Sequence, residues 1–195
     1  MSGSRKERKA ATRIALLQVA LRCFSSQGYG EASIGSITKE AGVAHGTFYV
    51  HFPSKEAALD ELLVDFNGEF TRRLMPMFAD IANLSTEDLI RQSAGTVLDY
   101  WLERRDFIEI YVERASAGLS LSALRDGLSP PMVQTVSSWV RLLAAQVNQT
   151  VGNPELVAQA LLAMWFRVGL QFLFNPLVSS EEAIELLVQM TGGAI

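Results

Sequence analysis

Four side chains that could contact nucleic acid lie within seven consecutive residues: His45, Thr47, Tyr49 and His51. Each ends in a hydrogen-bonding group on a short or rigid stem, which suits contacts with base edges and phosphate oxygens. The two histidines do not form a helical zinc pair, because such a pair needs i, i+4 spacing and theirs is i, i+6. Burial of these histidines in a core is the alternative that the residues leave open.

Two short helices are expected to position these side chains. The first begins after the N-cap Ser33 and stops at Gly42, and the second covers residues 44–51. Their joint, Ala41-Gly42-Val43, places a glycine able to take positive φ between small or apolar residues, as a helix-turn-helix requires. In DNA-binding versions of this motif the second helix lies in the major groove. Lys55 follows at the start of the next helix, where its ammonium and the helix amides together favour a phosphate.

A longer pattern runs through the same region. It consists of Gly28-Tyr29, Ile37, Ala41-Gly42-Val43 and Gly46-Thr47-Phe48-Tyr49-Val50-His51-Phe52-Pro53-Ser54-Lys55-Glu56-Ala57. This pattern, within roughly residues 10–60, resembles the TetR family of bacterial transcriptional regulators. The resemblance implies DNA contacts of three kinds: phosphate contacts from Tyr49, Lys55 and His51, groove contacts from His45, Gly46 and Thr47, and backbone proximity of Ser33, Gly35 and Ser36.

Charge is divided unevenly along the chain. Residues 1–55 hold eight Lys or Arg against three acidic residues, a net charge of +5. Residues 56–195 hold nine Arg and no lysine against eighteen acidic residues, a net charge of −9. This asymmetry predicts that the N-terminal part meets a polyanion. Residues 1–9 are predicted to be a basic flexible leader, either a solvated tail or an arm that adds phosphate contacts.

Helical periodicity occurs in nearly every segment, and no segment shows sustained strand-like alternation. We therefore predict an all-α fold of about nine helices. Residues 1–55 would form a three-helix DNA-binding domain with the helix-turn-helix, and residues 56–195 a helical bundle for ligand binding and dimerisation. Pro76 is expected to kink or end the long fourth helix, and the helix that starts at Pro130 is expected to reach about Gly152.

Several classes of protein are disfavoured by the same residues. The lone Cys23 cannot form an intramolecular disulfide, and no Cys/His cluster has zinc-ligand spacing. The N-terminus is charged, unlike a secretory signal, and the longest uncharged run, residues 127–140, is too short to span a membrane. The larger domain has no histidine for a Ser-His-acid triad. We expect a cytoplasmic, non-enzymatic protein with no cofactor, metal or membrane partner.

The segment 154–174 is apolar on nearly all sides, so it must be buried both in its own bundle and elsewhere. A second copy of the chain would supply this burial in a homodimer, with the last helix completing a four-helix seam. Which apolar face forms the seam and which forms a pocket stays open. The predicted interface residues are Val157, Ala160, Leu161, Met164, Val168, Phe172, Ile184, Leu187 and Val188.

Aromatic and polar residues of the larger domain are candidates for a ligand pocket, although aromatic stripes also occur as plain core. The candidates are Phe66, Phe70, Tyr100, Trp101, Phe107, Tyr111, Arg114, Gln134, Trp139, Trp165 and Phe166. A mostly apolar pocket with few polar groups would accept a lipophilic or aromatic small molecule.

The combined features predict a ligand-responsive DNA-binding regulator, in the simplest case a repressor that a small effector releases from a palindromic operator. The ligand would shift the population of conformers through the fourth helix, which Asn67-Gly68 and Pro76 weaken. An activator or a corepressor-dependent repressor would have the same sequence signals. A helical carrier that sequesters a small molecule is the alternative from another class.

Overall fold

The computed structural model describes residues 4–79, 84–117, 130–146 and 148–192. Within these ranges the chain forms nine helices and no strand, so the all-α prediction is confirmed. The helices are α1 (Arg5–Gln27), α2 (Ile34–Glu40), α3 (His45–His51), α4 (Lys55–Ala79), α5 (Thr86–Glu103), α6 (Arg105–Ala117), α7 (Pro130–Gln146), α8 (Pro154–Phe174) and α9 (Ser180–Gly192).

Short polar residues cap the beginnings of these helices. The Ser33 hydroxyl accepts a hydrogen bond from the Ser36 amide before α2, and the Ser85 hydroxyl accepts one from the Asp88 amide before α5. The Asn153 side chain accepts from the Leu156 amide, with Pro154 at the first position of α8. Each contact satisfies an amide that the helix itself leaves without a partner.

Three local predictions are corrected by the structure. Residues 5–9, predicted as part of a flexible leader, form the first turns of α1, because Ser4 and Glu7 make a capping box there. Of the two effects predicted for Pro76, a kink or an end of the helix, the end does not occur: α4 continues to Ala79, since a proline in the last turn removes only one backbone hydrogen bond. Helix α7 ends at Gln146 rather than near Gly152, and Asn148 takes a positive φ of 56° just beyond it.

The chain divides into two compact units. Of the described residues, the first unit holds 4–66 and 106–117, and the second holds 67–79, 84–105, 130–146 and 148–192. Helix α4 therefore contributes residues to both units, with the division between Phe66 and Asn67. The boundary lies further along the chain than the predicted one at residue 55, and most of α6 belongs with the N-terminal helices.

The core of the first unit is built by α1, α2 and α3, with the first turns of α4. Leu16, Ile37, Phe48 and Phe52 are almost completely buried. Between α2 and α3 the chain turns at Gly42, which has a φ of +67°, a conformation that side-chain-bearing residues rarely adopt. The predicted helix-turn-helix is therefore present, with its sharp joint at the predicted glycine.

The core of the second unit is built mainly by α5, α8 and α9. Ala94, Leu98, Val168, Ala183 and Leu187 form its central buried cluster. Close packing of α5 on α8 depends on Gly169, where an added Cβ would lie 2.5 Å from the Trp101 ring. Helix α8 alone, among the described helices, is long and apolar enough to cross a membrane by length and composition, with a mean hydropathy of 1.5. Its sequence does not contain the longest uncharged run, because Arg167 interrupts it.

Candidate functional site

Helix α3 presents one polar face to solvent and one apolar face to the core. His45, Gly46 and Tyr49 are exposed, Thr47 is half-buried, and Phe48 is fully buried on the opposite side. The Tyr49 ring lies 5.6 Å from the His45 ring and 5.9 Å from the Phe48 ring, centroid to centroid. Phe48 therefore fixes the helix in the core, and the exposed face carries hydrogen-bonding side chains of the kind that read base edges.

The serines at the start of α2 form hydrogen bonds with each other that cap this helix. Ser33 and Ser36 cap each other reciprocally, with amide-to-hydroxyl distances of 3.0 and 3.1 Å. Gly35 is exposed between them. These residues fix the beginning of α2, and any contact with a DNA backbone must share the hydroxyl groups with the cap.

The Lys55 ammonium faces the connection between α1 and α2. Its Nζ donates hydrogen bonds to the carbonyl oxygens of Tyr29 at 2.7 Å, Ala32 at 2.9 Å and Gly30 at 3.3 Å. It also lies 4.4 Å from the centroid of the Tyr29 ring. Because an ammonium has three N–H donors, these contacts use its full capacity. The phosphate contact expected for Lys55 stays a prediction, and it would compete with these three hydrogen bonds.

His51, at the end of α3, lies in a positively charged environment. Burial lowers the pKa of its imidazole, and the charges of Lys9 and Arg13 lower it further. The Arg13 guanidinium donates a 2.5 Å hydrogen bond to the His51 carbonyl oxygen, and it also pairs with Glu61. Within the described part of the chain, the buried Nδ1 of His51 has no hydrogen-bond partner.

Basic side chains line the beginning of α1. Arg5, Lys6, Arg8 and Lys9 are all exposed on its first turns, and Lys39 is exposed at the end of α2. The positive charge predicted for a flexible leader is therefore carried on a helix. Exposed Lys and Arg side chains of this kind supply sequence-independent attraction to phosphates.

A second candidate site is an apolar cavity of about 80 Å³ inside the second unit. It is lined by residues of five helices: Phe70, Leu74, Leu89, Ile90, Ser93, Val97, Val136, Trp139, Val140, Leu143, Leu161, Leu162, Trp165 and Thr191. No charged side chain is in this set. The Trp165 indole donates a 2.9 Å hydrogen bond to the Thr191 hydroxyl, and Ser93 is the other residue of the lining with a polar side chain.

Three of the predicted pocket residues line this cavity: Phe70, Trp139 and Trp165. The aliphatic lining residues were missed, because their spacing is the same as that of ordinary core residues.

The other predicted pocket residues lie elsewhere. In the first unit, Phe66 stacks on Phe107, with centroids 4.8 Å apart, and Tyr111 is partly buried, which raises the pKa of its hydroxyl. In the second unit, Tyr100 packs on Phe70, and its burial raises the pKa of its hydroxyl to about 12.

The aromatic pair Trp101 and Phe166 packs edge to face, and Gln134 is exposed. The Arg114 side chain lies outside the described part of the structure.

Most of the predicted dimer residues are buried or partly buried within their own unit, and their place in an interface stays a prediction. Leu161 lines the cavity, and Val168, Leu187 and Val188 are buried. Met164, Phe172 and Ile184 pack against the α5–α8–α9 core cluster, and Val157 is partly buried. Only Ala160 is exposed. Periodicity showed that α8 has two apolar faces but could not show which of them packs inward.

The opposite side of α8 remains uncovered in the isolated chain. We define the uncovered face as the exposed residues Leu156, Ala160, Ala163 and Phe174 of α8 with Leu186 and Met190 of α9. The four α8 residues follow one another at spacings of four, three and eleven, each close to a whole number of turns, so they form one stripe along the helix.

Comparisons with known proteins agree with the architecture. Residues 16–62 match the family model described as "Bacterial regulatory proteins, tetR family". The HTH-type transcriptional regulator AcrR of Shigella flexneri is 42% identical over 109 residues, which cover 54% of this chain and 49% of that protein. The HTH-type transcriptional regulator YdgC of Bacillus subtilis is 32% identical over 108 residues, covering 54% of this chain and 55% of that protein. The chain thus spans about half the length of these curated relatives.

Solved structures share the fold over nearly the whole chain. A crystal structure from Syntrophomonas wolfei, assigned to the TetR family, has a TM-score of 0.78 at 19% identity and covers 95% of each chain. The regulator FadR of Bacillus subtilis, crystallised with stearoyl-CoA, has a TM-score of 0.68 at 19% identity, covering 90% of this chain and 97% of that one. The helix-turn-helix region thus matches the family of bacterial regulatory proteins named for TetR, and the chain as a whole shares the fold of these solved structures.

Proposed function

We propose that this protein is a transcriptional regulator that binds operator DNA as a homodimer and is released from it by a small lipophilic effector. The observation that carries the proposal is the exposed polar face of α3, which carries His45, Gly46 and Tyr49 and is fixed from behind by the buried Phe48. Thr47 lies at the edge of this face. A helix held in this way can enter a major groove without local unfolding.

The DNA contacts divide by chemistry. His45 and Thr47 would read base edges, and the Tyr49 hydroxyl would bind a phosphate. The exposed basic residues at the start of α1 would add phosphate contacts, which make the affinity salt-dependent. Ser33, Gly35 and Ser36 would lie beside the backbone, and His51 would sit close to a phosphate.

Dimerisation through the uncovered face would bring two helix-turn-helix motifs together to bind one operator. Only 28% of the most apolar window of α8 is buried within the chain, although this helix is among the most hydrophobic segments of the protein. A symmetric copy would bury the exposed leucines, and Ala160 and Ala163 would let the two helices approach closely. Two α3 helices would then be held about 34 Å apart for consecutive major grooves of one operator.

The cavity of the second unit is the proposed effector site. Its lining has no charged side chain, so it favours a neutral, lipophilic ligand. The volume of about 80 Å³ is smaller than the roughly 150 Å³ cavity that holds benzene. An effector of drug size would therefore have to displace the lining helices, and this displacement would shift the protein towards a conformer with lower operator affinity. The FadR structure holds stearoyl-CoA, whose acyl chain is lipophilic although its CoA group is charged, so it supports only the apolar character of the proposed pocket.

Selection of bound DNA from a random library tests the proposed function directly. We expect a palindromic site, bound with nanomolar affinity and released by a neutral lipophilic compound from a metabolite screen. Tyr49→Phe should weaken binding to selected and random DNA alike, whereas Thr47→Ala should reduce the preference for the selected site. Absence of any selected site, together with tight binding of a small molecule, would instead indicate a carrier. A ligand that tightens operator binding would indicate a corepressor.

A further inference from the structure

The connection between α1 and α2 is held from two sides by opposite charges. On one side the Glu113 carboxylate of α6 accepts hydrogen bonds from the amides of Tyr29 at 3.1 Å and Gly30 at 3.4 Å. On the other side the Lys55 ammonium binds the carbonyl oxygens of Tyr29, Gly30 and Ala32. We name this arrangement the Glu113–Lys55 clamp. All of its residues belong to the first compact unit.

The backbone of this connection is shaped to receive a carboxylate. Gly28 has a φ of +82°, and a Cβ added there would lie 3.4 Å from the Glu113 carboxylate. The turn closes with a hydrogen bond from the Ala32 amide to the Gly28 carbonyl oxygen. Consecutive amides that converge in such a turn form a concave anion site, which Glu113 fills from within the chain.

The Tyr29 side chain connects the clamp to the neighbouring helices. Its ring packs edge to face against Phe24 of α1, and its hydroxyl donates a 3.1 Å hydrogen bond to the Glu56 carboxylate of α4. The connection then leads directly through the buried Ala32 to Ser33, the N-cap of α2. A change in this connection therefore acts on the position of α2, and α2 packs against the recognition helix α3.

We propose that Glu113 is a positioning residue for DNA binding: it touches no DNA, and its carboxylate, bound to the Tyr29 and Gly30 amides, holds α2 and α3 in the arrangement that an operator accepts. This inference rests on the proposed function. It gives α6 a defined electrostatic contact with the connection that precedes the helix-turn-helix. It also explains why a glycine precedes Tyr29 in this chain.

The test compares Glu113→Gln with Glu31→Gln. Glu31 lies in the same connection, is exposed, and makes no hydrogen bond or ion pair within the described residues, so its substitution removes the same charge without removing a contact. Amide hydrogen exchange and affinity for the selected operator are measured for both variants, and thermal unfolding checks that they remain folded. Glu113→Asp serves as a milder variant if Glu113→Gln unfolds.

We expect Glu113→Gln to accelerate amide exchange at Tyr29 and Gly30 and to weaken operator binding about three- to tenfold, since two charge-assisted bonds at an exposed site are lost. The slope of log affinity against log salt should stay as in the wild type, because no phosphate contact is removed. Glu31→Gln should leave exchange unchanged and should not weaken binding.

Wild-type affinity in Glu113→Gln, or faster exchange with unaltered affinity, would overturn the positioning role. Equal weakening in Glu31→Gln would also overturn it, since charge alone would then explain the effect. Failure of the wild type to select any DNA would reject the proposed function itself. Exchange at Tyr29 and Gly30 would still show whether the clamp forms, so the two failures are distinguishable.

Discussion

Lys55 lies over the ring of Tyr29 and donates a 2.7 Å hydrogen bond to that residue's carbonyl oxygen. The sequence predicted a phosphate contact for this lysine, and the structure gives it a second possible role in the same unit. A lysine that fixes a turn and a lysine that binds a phosphate have different experimental signatures. The salt dependence of binding separates them.

Lys55→Ala should weaken binding to all DNA sequences, because neither of its two roles, fixing the turn between α1 and α2 or binding a phosphate, depends on the base sequence. If Lys55 acts mainly on the turn, the variant should also unfold at a lower temperature, and the salt slope should remain that of the wild type. A phosphate contact would instead reduce the slope by about one, with little loss of stability. Anisotropy titrations at several salt concentrations, combined with calorimetry, measure both quantities. Arg141→Ala, which removes one exposed positive charge of the second unit, is the control.

The helix-turn-helix of α2 and α3 could be predicted from the sequence. Each part of this motif had a local signal in the sequence: Ser33 is a helix cap, Gly42 permits a positive-φ turn, and Phe48 is an apolar residue on an otherwise polar helix. Local signals of this kind determine short helices. The family pattern then identified the exposed side chains of α3. The commitment of Lys55 to carbonyl oxygens was not predictable, because the partners of a flexible side chain depend on residues brought close only by the fold.

The second unit was predicted less well, for a different physical reason. Helix α8 is apolar on both sides, so periodicity could not distinguish the face that packs on α5 from the uncovered face. Leu187 and Ala160 were assigned to one surface, whereas one is in the core and the other is exposed. The cavity lining was equally ambiguous, since aliphatic residues such as Leu89 and Val140 serve a core and a pocket alike.

Gly169→Ala should destabilise the protein by about 1–3 kcal/mol, because the added methyl group would lie 2.5 Å from the Trp101 ring in a packed core. Gly68→Ala is the matched control. It also lies within a long helix, but an added Cβ meets nothing within 4 Å there. Helix propensity predicts a gain of about 0.5–1 kcal/mol for this control. Urea denaturation measures both changes, and equal stability of the two variants would contradict the close packing of α5 and α8.

His51 should make stability pH-dependent. Burial, together with the charges of Lys9 and Arg13, lowers its pKa below the usual 6.5, so the folded state favours the neutral imidazole. The unfolded chain then binds the proton more readily, and stability is lost as the pH falls through the folded pKa. The melting temperature of the wild type relative to His51→Gln should therefore decrease from pH 7.5 to pH 5. A constant difference across this range would show that His51 has an ordinary pKa.

Ala163→Glu should convert the protein from dimer to monomer while leaving its fold intact. Ala163 lies in the middle of the uncovered face and is exposed in the single chain, so a glutamate there costs little in the monomer. In a symmetric dimer two such carboxylates would be removed from water near each other, and this desolvation and repulsion oppose association even though Arg167 lies one turn away on the same stripe.

Leu102→Glu is the control, because Leu102 is exposed on α5 outside the uncovered face. Sedimentation equilibrium measures the oligomeric state, and circular dichroism checks the helical content. The loss of dimerisation in Ala163→Glu should also lower operator affinity, since a single helix-turn-helix contacts only half of a palindrome. A dimer that persists in Ala163→Glu and dissociates in Leu102→Glu would place the interface on α5 instead.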